Sequence, residues 1–202
     1  MTGLQFVKVA AALAAMIVAL YGAPANAADA PLVTVLVVYH SATGNTEKMA
    51  QGVAEGAKAV SGTSVVLKTV GAVAANDLSS SDAVIVGSPV YFANMSGEIK
   101  TFFDNWSLKF DLFRDRKMRN KVGAAFSTGA AVAAGKEFTI LGMLAAMLNN
   151  QMIVVSGGGG FGASATTGPD SPGIDEKELA SARDLGRRVA EVAVVVKRGL
   201  SK

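Results

Sequence analysis

Apolar residues in this chain come in short unbroken runs, separated by longer stretches where they recur every three or four positions. The runs are Val33–Tyr39, Ser64–Leu67, Ala83–Val86, Val122–Phe126 and Met152–Val155, and their content of Val and Ile predicts five strands. They do not alternate with polar residues, so each strand is read as buried on both faces, as in a parallel sheet. The stretches Glu47–Val60, Asn76–Ser80, Gly97–Trp106, Gly135–Asn149 and Asp175–Val196 carry the helical period. The last opens on Asp175 with Glu178 three residues on, a capping-box pattern, and repeats Leu179, Ala182, Gly186, Val189, Ala193 and Val196 as one buried stripe. Met143, Met147 and Met152 read as core filler. Strands alternating with helices predict an α/β fold: a five-stranded parallel sheet with helices on both faces. In such sheets a ligand binds beyond the carboxyl ends of the strands, at the point where strand order reverses.

The first 27 residues fall outside that pattern. Lys8 is followed by the apolar run Val9–Leu20, short for a bilayer span, and then by Ala25-Asn26-Ala27, a small-x-small cleavage pattern. This predicts a cleavable signal peptide over 1–27, and hence export, to the periplasm if the source is bacterial. A membrane anchor or a cytoplasmic location is the alternative. Residues 28–202 then form a single domain. Losing Lys8 lowers the net charge from +3 to +2, too little to argue for nucleic acid. The basic stretch Arg114–Lys121 includes Asp115 and reads as a solvated surface loop. The chain has no cysteine, which removes disulfides, thiolate metal sites and a cysteine nucleophile together. No metal site is expected.

The residues just past each strand therefore carry the candidate chemistry. The first strand breaks into Ser41-Ala42-Thr43-Gly44-Asn45-Thr46 and then opens a helix. Three hydroxyls and a glycine exceed what helix capping needs, and they suit an anion held at the positive end of the helix dipole. No lysine lies in the turn, so it is not a nucleoside-triphosphate loop. A phosphomonoester that stays bound fits it better. Strand three leads into Gly87-Ser88-Pro89-Val90-Tyr91-Phe92-Ala93-Asn94, strand four into Ser127-Thr128-Gly129, and strand five into the glycine run Gly157–Gly162. These residues let backbone approach a flat ligand. Strand two leads into plain polar sequence, as expected in the order 2-1-3-4-5. His40, the only histidine, is either a half-buried structural residue or a proton donor. Glu98 and Asp104 read as helix-surface carboxylates.

The turn Ser41–Thr46 resembles the flavodoxin phosphate loop, Ser/Thr-x-Thr-Gly-x-Thr. The segment Gly87–Gly97 with Thr101-Phe102-Phe103-Asp104, the stretch Phe126–Gly129, and Phe161-Gly162-Ala163 before the last helix are similar to the WrbA-type NAD(P)H:quinone oxidoreductases. The resemblance implies a flavodoxin-like fold binding FMN. By position, Ser41, Thr43, Gly44, Asn45 and Thr46 would hold the phosphate. Pro89, Val90, Tyr91, Phe92, Ala93 and Asn94 would border the ring, with Tyr91 the preferred contact, and Ser127, Thr128 and Gly129 would approach it from the other loop. It also implies NADH or NADPH as donor, a quinone or similar planar acceptor, and a dimer or tetramer. A flavodoxin-type electron carrier, with a redox partner protein and no substrate turnover of its own, is the alternative, and a flavin-binding module without turnover is a third. The chain departs from the reductases at Ala130–Gly135, where they are glycine-rich, and at Asn105–Phe110, which lacks their Gly-Gly pair and places Trp106 earlier.

Overall fold

The computed structural model describes residues 33–157, 160–168 and 173–201. The predicted leader, 1–27, lies outside them. In chain order the elements are β1 (Val33–Tyr39), α1 (Asn45–Lys58), β2 (Thr63–Thr69), a 3-10 turn (Val70–Ala72), α2 (Ala75–Ser80), β3 (Ala83–Tyr91), β4 (Asn94–Met95), α3 (Gly97–Leu108), β5 (Val122–Gly129), α4 (Lys136–Asn149), β6 (Ile153–Val154), β7 (Ala163–Thr166) and α5 (Glu176–Leu200). The parallel order is β2-β1-β3-β5-β6, the predicted flavodoxin-like arrangement once the added strands are counted. Among the described residues no helix is long and apolar enough to cross a membrane.

The sheet is covered on both faces. Val33, Val35, Val37 and Tyr39 of β1 pack with α1 and α5, while Leu36 and Val38 pack on the other side with residues of α2, α3 and α4. Glycine lets α1 and α5 cross closely: a Cβ at Gly56 would lie 1.8 Å from the Arg183 carbonyl oxygen, and one at Gly186 would lie 1.9 Å from that of Val53. Asp175 caps α5 by accepting from the Glu178 N–H at 2.8 Å, and Glu178 accepts in return from the Asp175 N–H at 3.0 Å. The predicted capping box is present.

Three strand boundaries differ from the sequence pattern. β3 runs on through Gly87–Tyr91 and β5 through Ser127–Gly129, because their ladder continues as Gly87↔Phe126, Ser88↔Ser127 and Pro89↔Thr128. Pro89 is tolerated because β1 stops pairing with β3 at Gly87, which leaves that side of β3 an edge. The fifth predicted strand is split. β6 pairs with Val122 and Gly123, β7 pairs with Phe126–Gly129, and the glycine run falls between them. Pairing on this edge of β5 resumes at Ala163-Ser164-Ala165-Thr166. Of the predicted run, the described residues Gly157, Gly160 and Gly162 therefore lie between β6 and β7 and not beyond the carboxyl end of this edge.

Candidate functional site

Three segments meet at the carboxyl edge of the sheet, beginning with the turn after β1. Gly44 adopts φ +85°, a left-handed conformation that places it ahead of Asn45, the first residue of α1. No side chain caps α1. Its first N–H groups, at the positive end of the helix dipole, are left for an anion. The Ser41 hydroxyl is buried without a hydrogen-bond partner. A buried orphan hydroxyl beside an uncapped helix start is the donor set that a phosphate oxygen would satisfy. Asn45 Nδ2 donates to Thr43 Oγ1 at 3.0 Å, which fixes the exposed part of the turn. Thr46 turns inward: its Oγ1 lies 2.8 Å from Thr128 Oγ1, with the two residues 1% and 3% exposed. That pair ties the turn to the end of β5. Behind it, Tyr39 donates to Glu47 at 3.0 Å. Burial, and then the Glu47 carboxylate, push the Tyr39 hydroxyl above its ordinary 10.0, so it remains a donor at neutral pH.

The second segment is the hairpin made by β3 and β4. Tyr91 pairs with Asn94 and Val90 with Met95, leaving Phe92 and Ala93 as a two-residue turn with φ +50° and +60°. Both central residues at positive φ mark a type I′ hairpin, here without glycine. Phe92 is fully exposed and Tyr91 is 42% exposed. Pro89 and Val90 are half-buried, while Ala93 and Asn94 are exposed. A ladder of serines braces the base. Ser127 Oγ donates to the Ser88 carbonyl at 3.0 Å, and the Ser96 N–H donates to Ser88 Oγ at 2.9 Å. Ser96 Oγ lies 3.0 Å from His40 Nδ1 and caps α3 by accepting from the Ile99 N–H. His40 also lies 3.4 Å from a Glu98 oxygen and edge-on to Tyr91, with centroids 6.1 Å apart. It is a half-buried residue that joins β1 to the hairpin.

The third segment is the β5–α4 connection. Thr128 and Gly129 lie in the last rungs of the ladder and Ser127 is wholly buried, so Ser127 offers the edge its backbone and not its hydroxyl. Gly135, at φ +95°, closes the connection against the hairpin: a Cβ there would lie 2.9 Å from Ala93 Cα. Lys136, which sequence reasoning missed, is 4% exposed, and its ammonium donates to the carbonyls of Ala131 at 3.0 Å and Val132 at 3.4 Å and to Thr166 Oγ1 at 2.7 Å. The signal that could have found it is a cation at the first position of a helix, where the dipole disfavours it. Ser88 and Ser96 were also missed, although Ser96 stands where a helix cap belongs. Trp106 is 1% exposed and packs against Phe102 and Phe103, so it belongs to the core. Asp104 pairs with Lys100 on the surface of α3. Among the described residues no cluster of His, Cys, Asp or Glu could hold a metal ion.

The site brings together the turn, the hairpin and the end of β5, as expected for a ligand that spans the switch point. Residues 68–166 match the family model described as NADPH-dependent FMN reductase. The chain is similar to an NAD(P)H dehydrogenase (quinone) from Archaeoglobus fulgidus, 34% identical over 79% of this chain and 96% of that protein. It is also similar to a flavodoxin from Aquifex aeolicus, 36% identical over 80% of this chain and 88% of that one. In three dimensions it superposes on a WrbA-like flavodoxin protein from Agrobacterium tumefaciens with a TM-score of 0.67 and 29% identity, covering 80% of this chain and 97% of that structure. The phosphate-ready turn, the hairpin and these relatives agree, and the chain belongs to the flavodoxin-like family of WrbA-type NAD(P)H:quinone oxidoreductases.

Proposed function

We propose that this protein is an FMN-dependent oxidoreductase that takes electrons from NADH or NADPH and passes two of them to a quinone or similar planar acceptor. The observation that carries the cofactor is the Ser41 hydroxyl, buried and unpartnered beside an uncapped helix start. The relatives named NAD(P)H dehydrogenase (quinone) carry the reaction. Ser41, Thr43, Gly44, Asn45 and Thr46 hold the phosphate by backbone N–H groups and hydroxyls, which suit a bound dianion. Pro89, Val90, Tyr91, Phe92, Ala93 and Asn94 form one wall for the ring, and Thr128 and Gly129 approach it from β5. When bound, FMN supplies the hydride and electron chemistry, and the protein's part is to position it and shape access.

A second reading, a flavodoxin-type electron carrier with a protein redox partner, is favoured by the Ser41–Thr46 turn and by the flavodoxin relative. One experiment separates the two. The domain from Ala28 onward is loaded with FMN and treated anaerobically with NADH or NADPH, then with a quinone. Bleaching by the nicotinamide and recovery on adding quinone, with sustained turnover, supports the reductase. Absence of any reaction with nicotinamide supports the carrier, and absence of FMN binding ends both readings. A homo-oligomer is supported by the outer face of α4, where Phe138, Leu141 and Leu148 are exposed at 65%, 40% and 56%. Sedimentation of the purified domain tests it. Export is supported by the leader-like sequence up to Ala27, and the N-terminal sequence of the protein recovered from its native cell checks it. In that setting the donor would be a membrane dehydrogenase or a quinol, because nicotinamide is scarce outside the cytoplasm.

A further inference from the structure

Lys136 breaks two rules at once. It places a cation in the first turn of α4, against the helix dipole, and it buries that cation with neutral oxygens as its hydrogen-bond partners. Those partners are the Ala131 and Val132 carbonyls and the Thr166 hydroxyl, with no carboxylate among them. Glu178 reaches the same corner, but there it accepts from the Thr166 N–H at 2.7 Å. A buried charge bonded only by neutral groups is a standing cost.

Its effect on the loop is directional. The peptides after Ala131 and Val132 are trans, so each C=O and the N–H of the same unit point opposite ways. Drawing both carbonyls inward to the ammonium turns the N–H groups of Val132 and Ala133 outward. The residues there are exposed, with Val132 at 81%, and the loop continues directly from Thr128 and Gly129 at the site. Successive N–H groups facing one way form an anion-receiving concavity. The ammonium behind them adds a fixed positive charge in a poorly solvated place.

We propose that Lys136 is a positioning residue that lays out the Val132 and Ala133 N–H groups, and supplies the charge behind them, to favour the reduced, electron-rich form of the bound flavin. The proposal rests on the FMN reading. Lys136 acts through the loop and stands apart from the turn that holds the phosphate.

The test is the affinity of the domain for FMN in two oxidation states, measured by titration of apoprotein with oxidised FMN and, anaerobically, with dithionite-reduced FMN. Lys136→Met is expected to weaken reduced FMN about tenfold more than oxidised FMN, which also lowers the midpoint potential of the bound flavin. Lys136→Arg, which keeps the cation and its donors, is expected to restore most of the difference. If Lys136→Met fails to fold, as judged by thermal unfolding of the apoprotein, Lys136→Gln is read in its place and carries the same expectation. Equal weakening of both forms, or none, overturns the role of Lys136 while leaving FMN binding intact. Wild-type protein that binds FMN in neither state overturns the cofactor reading, and this proposal with it.

Discussion

The hydroxyl pair Thr46–Thr128 joins the Ser41–Thr46 turn to the end of β5, and burial sets the size of its contribution. The two oxygens lie 2.8 Å apart and both residues are almost fully buried. Thr46→Val removes one hydroxyl and leaves the other buried and unpaired, a loss of about 1–3 kcal/mol. Thr128→Val does the same from the other side. Replacing both partners removes the hydrogen bond together with the orphan, so Thr46→Val/Thr128→Val is expected to lie close to wild type. For a domain of this size about 1 kcal/mol moves the melting temperature by about 2–4 °C, so the single variants melt visibly lower and the double variant recovers. Urea unfolding of the four apoproteins gives the coupling energy directly. A double variant whose loss equals the sum of the singles within about 0.5 kcal/mol refutes the pairing, as do lossless singles. The same proteins report on binding. Thr46 is expected to turn its hydroxyl to the phosphate when FMN is present, so the double variant, though stable, binds FMN about tenfold more weakly. Unchanged FMN affinity in that variant removes Thr46 from the phosphate cradle.

Ser41→Ala deletes a hydroxyl that has no partner, so apoprotein stability holds or rises slightly while FMN affinity falls about tenfold; thermal melts and FMN titration check the two halves. Gly87→Ala would place a Cβ 2.0 Å from Phe126 Cζ, inside the β3–β5 ladder, and is expected to cost about 3 kcal/mol in denaturant unfolding, partly recovered by Phe126→Leu. The Lys68 ammonium, then the Ala74 N–H, hold the Asp77 carboxyl below its ordinary 3.8. Its folded-state value is thus depressed, so its stabilisation is present above about pH 4 and is lost as pH falls further. Asp77→Asn should flatten that acid limb of the stability profile and leave stability near neutral pH lower by under about 1 kcal/mol.

Much of the fold is legible because burial here is two-sided. Val33–Tyr39 and Val122–Phe126 are continuous apolar runs since both sheet faces are covered, and no polar alternation obscures them. The turn Ser41–Thr46 is legible for the opposite reason: three hydroxyls and a glycine between a buried strand and a helix exceed what capping needs. What the pattern conceals is pairing decided at long range. Gly87-Ser88-Pro89 and Ser127-Thr128-Gly129 have poor strand propensity, yet they form strand because each supplies the other's ladder partner. Phe126 explains Gly87, since its ring fills the place of a Cβ. The split of the last strand is hidden likewise, because the glycine run looks the same inside an edge strand as it does after one. Lys136 and the serines at 88 and 96 are set by where three separate segments meet, which no local window contains.

The two halves of the site differ in how they are held, and the difference bears on which reaction the protein performs. The Ser41–Thr46 turn, proposed to hold the phosphate, sits at the end of a core strand and the start of a core helix, in a conformation its glycine adopts without strain. Such a cradle fixes a cofactor equally well in a carrier and in a reductase. The hairpin is another matter. Phe92 and Ala93 each hold a left-handed backbone that L-residues disfavour by about 1–2 kcal/mol. Phe92 in addition exposes its whole ring to solvent. The strain persists because the surroundings over-determine it, through the Ser96–Ser88 hydrogen bond at the base and Gly135 against Ala93 at the tip. A chain that only had to hold a flavin could place glycine at both turn positions and a polar side chain at the tip. Both costs fall on the segment proposed to border the flavin ring, which an acceptor would have to pass, and this favours substrate turnover over simple electron carriage.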